Sequence, residues 1–330
     1  MSSLPHYFVG GVLLSSSSTW LQYFIGQSLS VSNTVTSFAS GDITLWRWCM
    51  LLGMVNGVWA LSLLSPSSIE GIGGWTLHAP ISAIIAGLAS GISAKLCWHS
   101  NYEDPLSAYT NWAQDIAYYY AAAFIGAVGT SLFANDDAKI DLPAHHYQFS
   151  PSVFQSMSLC TILGIHTLLF MFLKRQDTSH YLSKSSKEAG VGYICGVYYV
   201  MGLCYCGLLC PSTAKNFVNA RNLSRLDLSW IASLAGAWAF RYVFATQVNM
   251  SPAKRPIFNA RRRLVSDMQG VQKNTLIGSA ISGIAWTLKG LSIGPALIIM
   301  TCRPSMSILS FCFCYALAYF GADQVQKMNR

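Results

Sequence analysis

Charged residues are scarce in this chain. Only 10% of its 330 residues are Asp, Glu, Lys or Arg, whereas 52% are hydrophobic, and the mean hydropathy is +0.39. About a quarter of the residues in a soluble domain are charged. So little charge excludes an ordinary water-facing surface, and it predicts an all-α membrane protein that crosses the bilayer several times. The lipid bilayer is therefore its first expected partner.

Motifs for catalysis and cofactor binding are also missing. We find no nucleophile elbow, phosphate loop, HExxH or paired-carboxylate pattern. The ten cysteines include no CxxC pair, and most lie in apolar runs where a free thiol behaves as a small hydrophobe. The basic residues behind the net charge of +8 are not interleaved with stacking aromatics, as single-strand nucleic-acid binders require. We predict no enzyme, cofactor, metal site or nucleic-acid partner, and we interpret the Asp- and His-containing segment 136–146 as a solvated loop.

Long apolar stretches are what the sequence does contain. Each is close to the ~20 residues needed to cross ~30 Å of hydrocarbon. We predict nine spans, near 6–26, 45–64, 79–98, 112–134, 154–173, 189–209, 228–247, 275–299 and 303–321. The N-terminus lacks a secretory signal, so the first stretch is predicted to be a retained span although a serine run interrupts it.

The charges in the connections predict an orientation. The connections after spans one, three, five and seven share a side with the C-terminus. On that side the basic residues lie after spans five and seven and at the C-terminus, whereas the acidic segment "NDDAKIDLP" (135–143) falls on the other side. The positive-inside rule then places the C-terminus in the cytoplasm and the N-terminus outside. The basic connection 211–227 disagrees with this orientation unless it dips back into the membrane.

The stretch "SGIAWTLKGLSIGPALIIM" (282–300) places helix breakers inside an apolar run. We expect one helix over 276–289 to stop at Gly290 and a second to begin just after Gly294-Pro295, because proline suits a first helical turn. The N–H groups of Ala296 and Leu297 would then point toward the break. Close helix packing is the alternative explanation for the two glycines.

An anion is the ligand that such a break would favour. The N-terminus of a half-helix inside a membrane attracts negative charge, and Lys289 precedes the break by one residue. A lysine facing lipid is costly, whereas a lysine facing an anion is useful. The alternative for Lys289 is a side chain that reaches the membrane surface.

An internal repeat links this break to the first half of the chain. Residues 86–100, "AGLASGISAKLCWHS", align without gaps to 278–292, "GSAISGIAWTLKGLS", at an offset of 192, which pairs Ser100 with Ser292. The repeat predicts two related halves, 1–150 and 151–330, with in-membrane half-helices and functional residues where the halves meet.

Two further segments look like breaks. "GLLCPSTAKNF" (207–217) contains Cys210-Pro211, for which an ordinary helix N-cap is the alternative. "GQSLSVSN" (26–33) supplies Ser30 at the end of the first span.

Together these motifs resemble the YeeE/YedE family of membrane proteins. Residues 276–298, "LIGSAISGIAWTLKGLSIGPALI", resemble the family's C-terminal GxxxFGxGWxLxGxCPGPAL pattern. Residues 207–219 resemble its GMxDPAKVxxFLD segment, residues 8–35 its opening glycine-rich segment, and residues 86–100 the early part of its GLLVGFGTRxGxGCTSGH segment. The order of the motifs along the chain is also that of the family.

The resemblance implies a permease for sulfur compounds such as thiosulfate. It implies nine spans in two repeated halves, half-helices that narrow the protein at mid-depth, and cysteines that pass the anion along by S–H hydrogen bonds. This chain has Ser292 and Ser100 at those cysteine positions, with Cys97 about one turn before Ser100. Serine keeps a donor and an acceptor but is much less acidic than a thiol.

We therefore predict a multi-pass permease for a small, sulfur-containing inorganic anion. The alternative is a degenerate family member that serves as a structural or accessory subunit of an oligomer or larger membrane complex. The predicted substrate path consists of Ser292, Ser100, Lys289, Gly290, Gly294, Pro295, Cys97, Cys210, Pro211 and Ser30.

Overall fold

Helix is the regular structure throughout the described part of the chain. The computed structural model describes residues 4–27, 29–39, 41, 44–64, 80–97, 114–133, 164, 168, 171, 183–209, 229–248, 258 and 273–328. Within these residues there is no strand, which confirms the predicted all-α fold. The number of spans and their place in a membrane stay predictions.

The helices fall close to the predicted spans. Their bounds are α1 Leu4–Phe24, α2 Val31–Ala39, α3 Leu45–Leu64, α4 Pro80–Leu96, α5 Gln114–Phe133, α6 Lys184–Tyr205, α7 Ser229–Val248, α8 Lys273–Lys289, α9 Ile293–Cys302 and α10 Met306–Met328. The predicted span at 154–173 lies outside the described residues except for three helical positions, 164, 168 and 171.

Helix α2 is an element that the span prediction missed. Its nine residues, VSNTVTSFA, are too few and too rich in hydroxyl groups to register as an apolar span. Three of its four hydroxyls bond locally: Thr34 donates to the Ser30 carbonyl at 2.9 Å, Thr36 to the Ser32 carbonyl at 3.0 Å and Ser37 to the Thr34 carbonyl at 2.8 Å. Because these hydroxyls have partners, they can be buried at low cost.

The long helices associate in two groups of four. The first group contains α1, α3, α6 and α7, and the second contains α4, α5, α8 and α10. In each group one antiparallel pair lies at the centre: α1 with α6 in the first group and α4 with α8 in the second. In the first group Gly10 contacts Cys206 and Leu14 contacts Gly202, so the two helices run in opposite directions. Each central helix then packs against a parallel neighbour: α7 on α1, α3 on α6, α10 on α4 and α5 on α8. The two groups therefore have the same pattern of contacts.

Glycines bring the parallel helices into backbone contact. At the α1–α7 crossing, a methyl group on Gly11 would overlap the Ser233 carbonyl, and one on Gly236 would overlap the Phe8 carbonyl. Such contact permits weak Cα–H···O bonds and is typical of helices that associate within membranes. Two other crossings repeat the arrangement, with Gly53 and Gly196 at α3–α6 and Gly126 and Gly283 at α5–α8.

Contacts in the second group follow the offset found in the sequence. Gly91 of α4 lies against the carbonyl of Tyr315, and Gly283 of α8 lies against the carbonyl of Ala123. Gly91 and Gly283 are 192 residues apart in the sequence, and so are their partners Ala123 and Tyr315. The α4–α10 and α8–α5 pairs thus have matching registers.

The outer faces of the helices are apolar. Along α3 the exposed large side chains form a single stripe of Leu45, Trp48, Leu52, Val55, Trp59 and Leu63. Helix α10 has a similar stripe, Met306, Leu309, Phe313, Leu317 and Phe320. Within the described residues, two stretches are long and apolar enough to cross a membrane, Lys273–Cys302 and Met306–Val325.

The glycine crossings lead to a first prediction. Gly283→Ala should lower the free energy of unfolding by about 1–3 kcal/mol, because the new methyl group must push α5 and α8 apart. The measurement is a denaturant titration of the purified protein in detergent micelles.

Gly129→Ala in α5 is the matched control, since no atom lies within 4 Å of a methyl group placed there. It should leave stability unchanged or raise it by up to about 1 kcal/mol, as alanine favours helix over glycine. Equal losses in the two variants would contradict the close crossing.

Candidate functional site

The predicted break between α8 and α9 is present in the structure. Helix α8 ends at Lys289, and Gly290 follows with a positive φ of 66°. The Gly290 N–H still donates to the Trp286 carbonyl. Leu291 and Ser292 then connect the two helices in a non-helical conformation, and Ser292 is extended, with φ −112° and ψ 171°. The left-handed turn at Gly290 is a conformation that residues with a Cβ adopt only at a cost.

The second helix begins earlier than the sequence predicted. Helix α9 starts at Ile293, so Pro295 occupies its third position and the Ala296 N–H donates to the Ser292 carbonyl at 3.1 Å. The expectation that Ala296 would leave its N–H unpaired was wrong. Proline is tolerated anywhere in the first turn, because those N–H groups have no acceptor within the helix. The N–H groups that face the break therefore belong to Ile293 and Gly294.

Ser292 is the N-cap residue of α9, but its side chain makes no capping hydrogen bond. The first turn behind it is inside the protein, since Ile293, Gly294 and Pro295 are all buried. A helix N-terminus carries a partial positive charge. The break thus combines a serine hydroxyl that does not cap the helix with a buried, positively polarised helix end.

Lys289 lies inside the protein beside this helix end. Its exposure is only 8%. The alternative interpretation required the side chain to reach the surface, and it does not. Neither α8 nor α9 contains an acidic residue. Any carboxylate that pairs with Lys289 would therefore belong to another element.

Tyr199 of α6 reaches the start of α9. Its side chain is among the largest that are fully buried, and its hydroxyl occupies the place of a Cβ on Gly294. Glycine at this position is thus explained by the close approach of a side chain from the first group. Sequence reasoning missed Tyr199, because a contact between residues so far apart in the chain leaves no local pattern.

The half-helix α2 brings Ser30 to the same region. Ser30 is buried and caps α2 by accepting a hydrogen bond from the Asn33 N–H at 3.1 Å. Helix α2 contacts α9, and the hydroxyl of Ser32 is hydrogen-bonded to that of Tyr315 in α10. Two short helices therefore meet where the two groups of long helices join.

Cys97 lies away from this meeting point. Its thiol is buried at the end of α4, 3.7 Å from the Thr275 carbonyl and 3.9 Å from the Ser279 hydroxyl in the first turns of α8. Ser279 and Lys289 are ten residues apart, about 15 Å along a helix. Cys97 and Lys289 are therefore at opposite ends of α8, and Cys97 does not replace a thiol at Ser292.

Three predicted site residues, Ser100, Cys210 and Pro211, lie outside the described residues. Of the predicted set, the structure brings together Lys289, Gly290, Ser292, Gly294 and Pro295 at the break and places Ser30 on a helix that contacts α9.

A buried ion pair was also missed. Lys95 of α4 pairs with Asp323 of α10 and lies 5.5 Å from the centre of the Tyr319 ring. It joins two parallel helices in the second group and is not part of the break. The only sequence signal was a lone lysine near the end of a predicted span.

In comparisons with known proteins, no family model, no curated protein and no solved structure matches this chain. The resemblance to the YeeE/YedE family stays a prediction.

The contact between Tyr199 and Gly294 gives a second prediction. Gly294→Ala should lower the melting temperature, since the new Cβ would overlap the Tyr199 hydroxyl. In a Tyr199→Phe background the same change should cost much less, because the overlapping oxygen is gone and the next atom, Cζ, is 3.3 Å away. The coupling free energy between the two changes, obtained from the unfolding free energies of the four proteins in this double-mutant cycle, should be about 0.5–3 kcal/mol. Additive effects would contradict the contact.

Proposed function

We propose that this protein is a multi-pass membrane permease for a small, sulfur-containing inorganic anion, which passes the break between α8 and α9. The observation that carries the proposal is a buried helix interruption flanked by a buried lysine. The proposal includes no catalytic step and no cofactor.

The outer surface supports a place in the bilayer. The apolar stripes of α3 and α10 point away from the core, and large contiguous apolar surfaces are disfavoured in water. Non-helical backbone such as Leu291–Ser292 is tolerated at membrane depth only where protein or a cavity surrounds it. The burial of the break agrees with this requirement.

Helix directions support two halves of opposite orientation. Each helix of the first half corresponds to one of the second half: α1 to α6, α3 to α7, α4 to α8 and α5 to α10. If every helix is replaced by its counterpart, the pattern of helix contacts is unchanged. Because α1 and α6 are antiparallel, as are α4 and α8, the exchange inverts each helix. Inverted repeats with broken helices at their interface are the architecture of many secondary transporters.

The chemistry at the break supports an anion. The N-terminus of α9, the Lys289 side chain and the Ser292 hydroxyl offer positive potential and a hydrogen-bond donor. A serine hydroxyl can hold an oxyanion, although it cannot supply the acidic S–H donor implied by the family resemblance. We therefore place Lys289, Ser292 and the N-terminus of α9 on the path, with Ser30 of α2 nearby, and we keep Ser100, Cys210 and Pro211 as expected members.

Uptake into proteoliposomes tests the proposal. The protein should take up radiolabelled thiosulfate or sulfite, and Lys289→Met should reduce the initial rate roughly tenfold or more, because the change removes about 1.5–3 kcal/mol of charged interaction. Lys184→Met is the matched control and should keep the wild-type rate, since the Lys184 side chain is 59% exposed.

Absence of uptake for all of these anions by folded, reconstituted protein would refute the proposal. If the protein instead co-purifies stably with a larger membrane assembly, the accessory-subunit alternative is favoured. Equal loss of rate in the two lysine variants would remove Lys289 from the path.

A further inference from the structure

Three of the six buried side-chain polar atoms that lack a hydrogen-bond partner among the described residues belong to one helix pair. Among the described residues, the Ser15 and Thr19 hydroxyls of α1 and Nη1 of Arg241 in α7 are buried and make no hydrogen bond. Ser15 and Thr19 are 0% and 1% exposed. Native structures rarely leave a buried polar group unpaired, and each case calls for an explanation such as a bound ion.

The three groups lie at the same level of the α1–α7 pair. Gly11 contacts the Ser233 backbone, and further along both helices the Trp20 and Phe240 rings are 6.4 Å apart. Ser15 and Thr19 lie between these two contacts on α1, one helical turn apart and so on one face. Arg241 directly follows Phe240 on α7. The parallel register therefore places Arg241 within about a turn of Thr19.

All three groups can donate a hydrogen bond, and one is a cation. Neither α1 nor α7 contains an Asp or Glu, so no carboxylate on either helix can neutralise the guanidinium. The planar guanidinium fork matches oxygens of phosphate-like and sulfate-like groups, and hydroxyls add donors to the same ligand. Donors around a cation whose own helix pair contains no carboxylate are the pattern that selects an oxyanion.

The equivalent helix pair lacks this pattern. Helices α3 and α6 also cross through glycines, and among their described residues no buried side-chain polar atom is left unpaired. Asn56 of α3, for example, donates to the Tyr193 hydroxyl at 3.2 Å. The crossing itself therefore does not require unpaired polar groups, and those on α1 and α7 need a separate reason.

We propose that Ser15, Thr19 and Arg241 form a binding site for a tetrahedral oxyanion between α1 and α7. The helices of this site are not those of the break at Ser292, so the inference does not depend on transport. The oxyanion is a free inorganic anion or the phosphate group of a bound phospholipid, since both present the same oxygens.

The test compares full-length variants in a neutral detergent. Sodium sulfate or phosphate should raise the melting temperature of the wild type relative to sodium chloride at equal ionic strength. Arg241→Gln should remove the part of this increase that exceeds the general stabilising effect of sulfate and phosphate, and Ser15→Ala with Thr19→Val should weaken the apparent affinity about tenfold. Lys184→Met is the control and should keep the increase, since the Lys184 side chain is 59% exposed and lies on neither α1 nor α7. If Arg241→Gln does not fold, the Ser15/Thr19 variant, which keeps the charge, is evaluated in its place.

Native mass spectrometry of the same samples distinguishes the two sources. A sulfate or phosphate effect that requires Arg241 identifies a free anion. Phospholipid that is retained by the wild type and lost from Arg241→Gln identifies a lipid phosphate. If neither the melting temperature nor the retained lipid depends on Arg241 or on Ser15 and Thr19, the proposed site is wrong.

Discussion

The buried break between α8 and α9 constrains how the other elements can be arranged. A helix end leaves backbone groups without partners in the helix, and a lysine beside that end adds a full charge. Neither can face hydrocarbon cheaply, so other elements must surround them. Tyr199 from α6 covers the start of α9, and α2 and α10 enclose the same region.

This enclosure explains the close packing of the long helices. Two groups can meet around a short broken element only if the helices within each group approach closely. The reciprocal glycine contacts, such as Gly11 on the Ser233 carbonyl and Gly236 on the Phe8 carbonyl, provide that approach. The partly buried Lys95–Asp323 pair joins the ends of α4 and α10. Glycines thus serve both the close packing of the long helices and the turn at the break, although at different positions.

Local signals in the sequence predicted most of the helices and the position of the break. The apolar stretches located the long helices within a few residues, and Gly290 marked the end of α8 because its positive φ suits glycine. Local signals failed where a long-range contact decides the structure, as for Tyr199 against Gly294. They also failed for α2, because its hydroxyl-rich sequence resembles a polar loop although most of the hydroxyls bond to nearby carbonyls. Cys97 was predicted to belong to the same substrate path as Lys289, but the antiparallel packing of α4 on α8 separates the two residues.

If the protein is an anion permease, Ser292 lies on a positively charged path that anions can enter. This can be measured as the reaction rate of a Ser292→Cys variant in proteoliposomes with anionic and cationic methanethiosulfonate reagents of similar size. Each rate is divided by the rate with a free thiol in solution, and wild-type protein gives the background of the native cysteines. We expect a clear preference for the anionic reagent, which Lys289→Met should abolish. No reaction of the introduced thiol above background, or a preference for the cationic reagent, would contradict an anion path at this position.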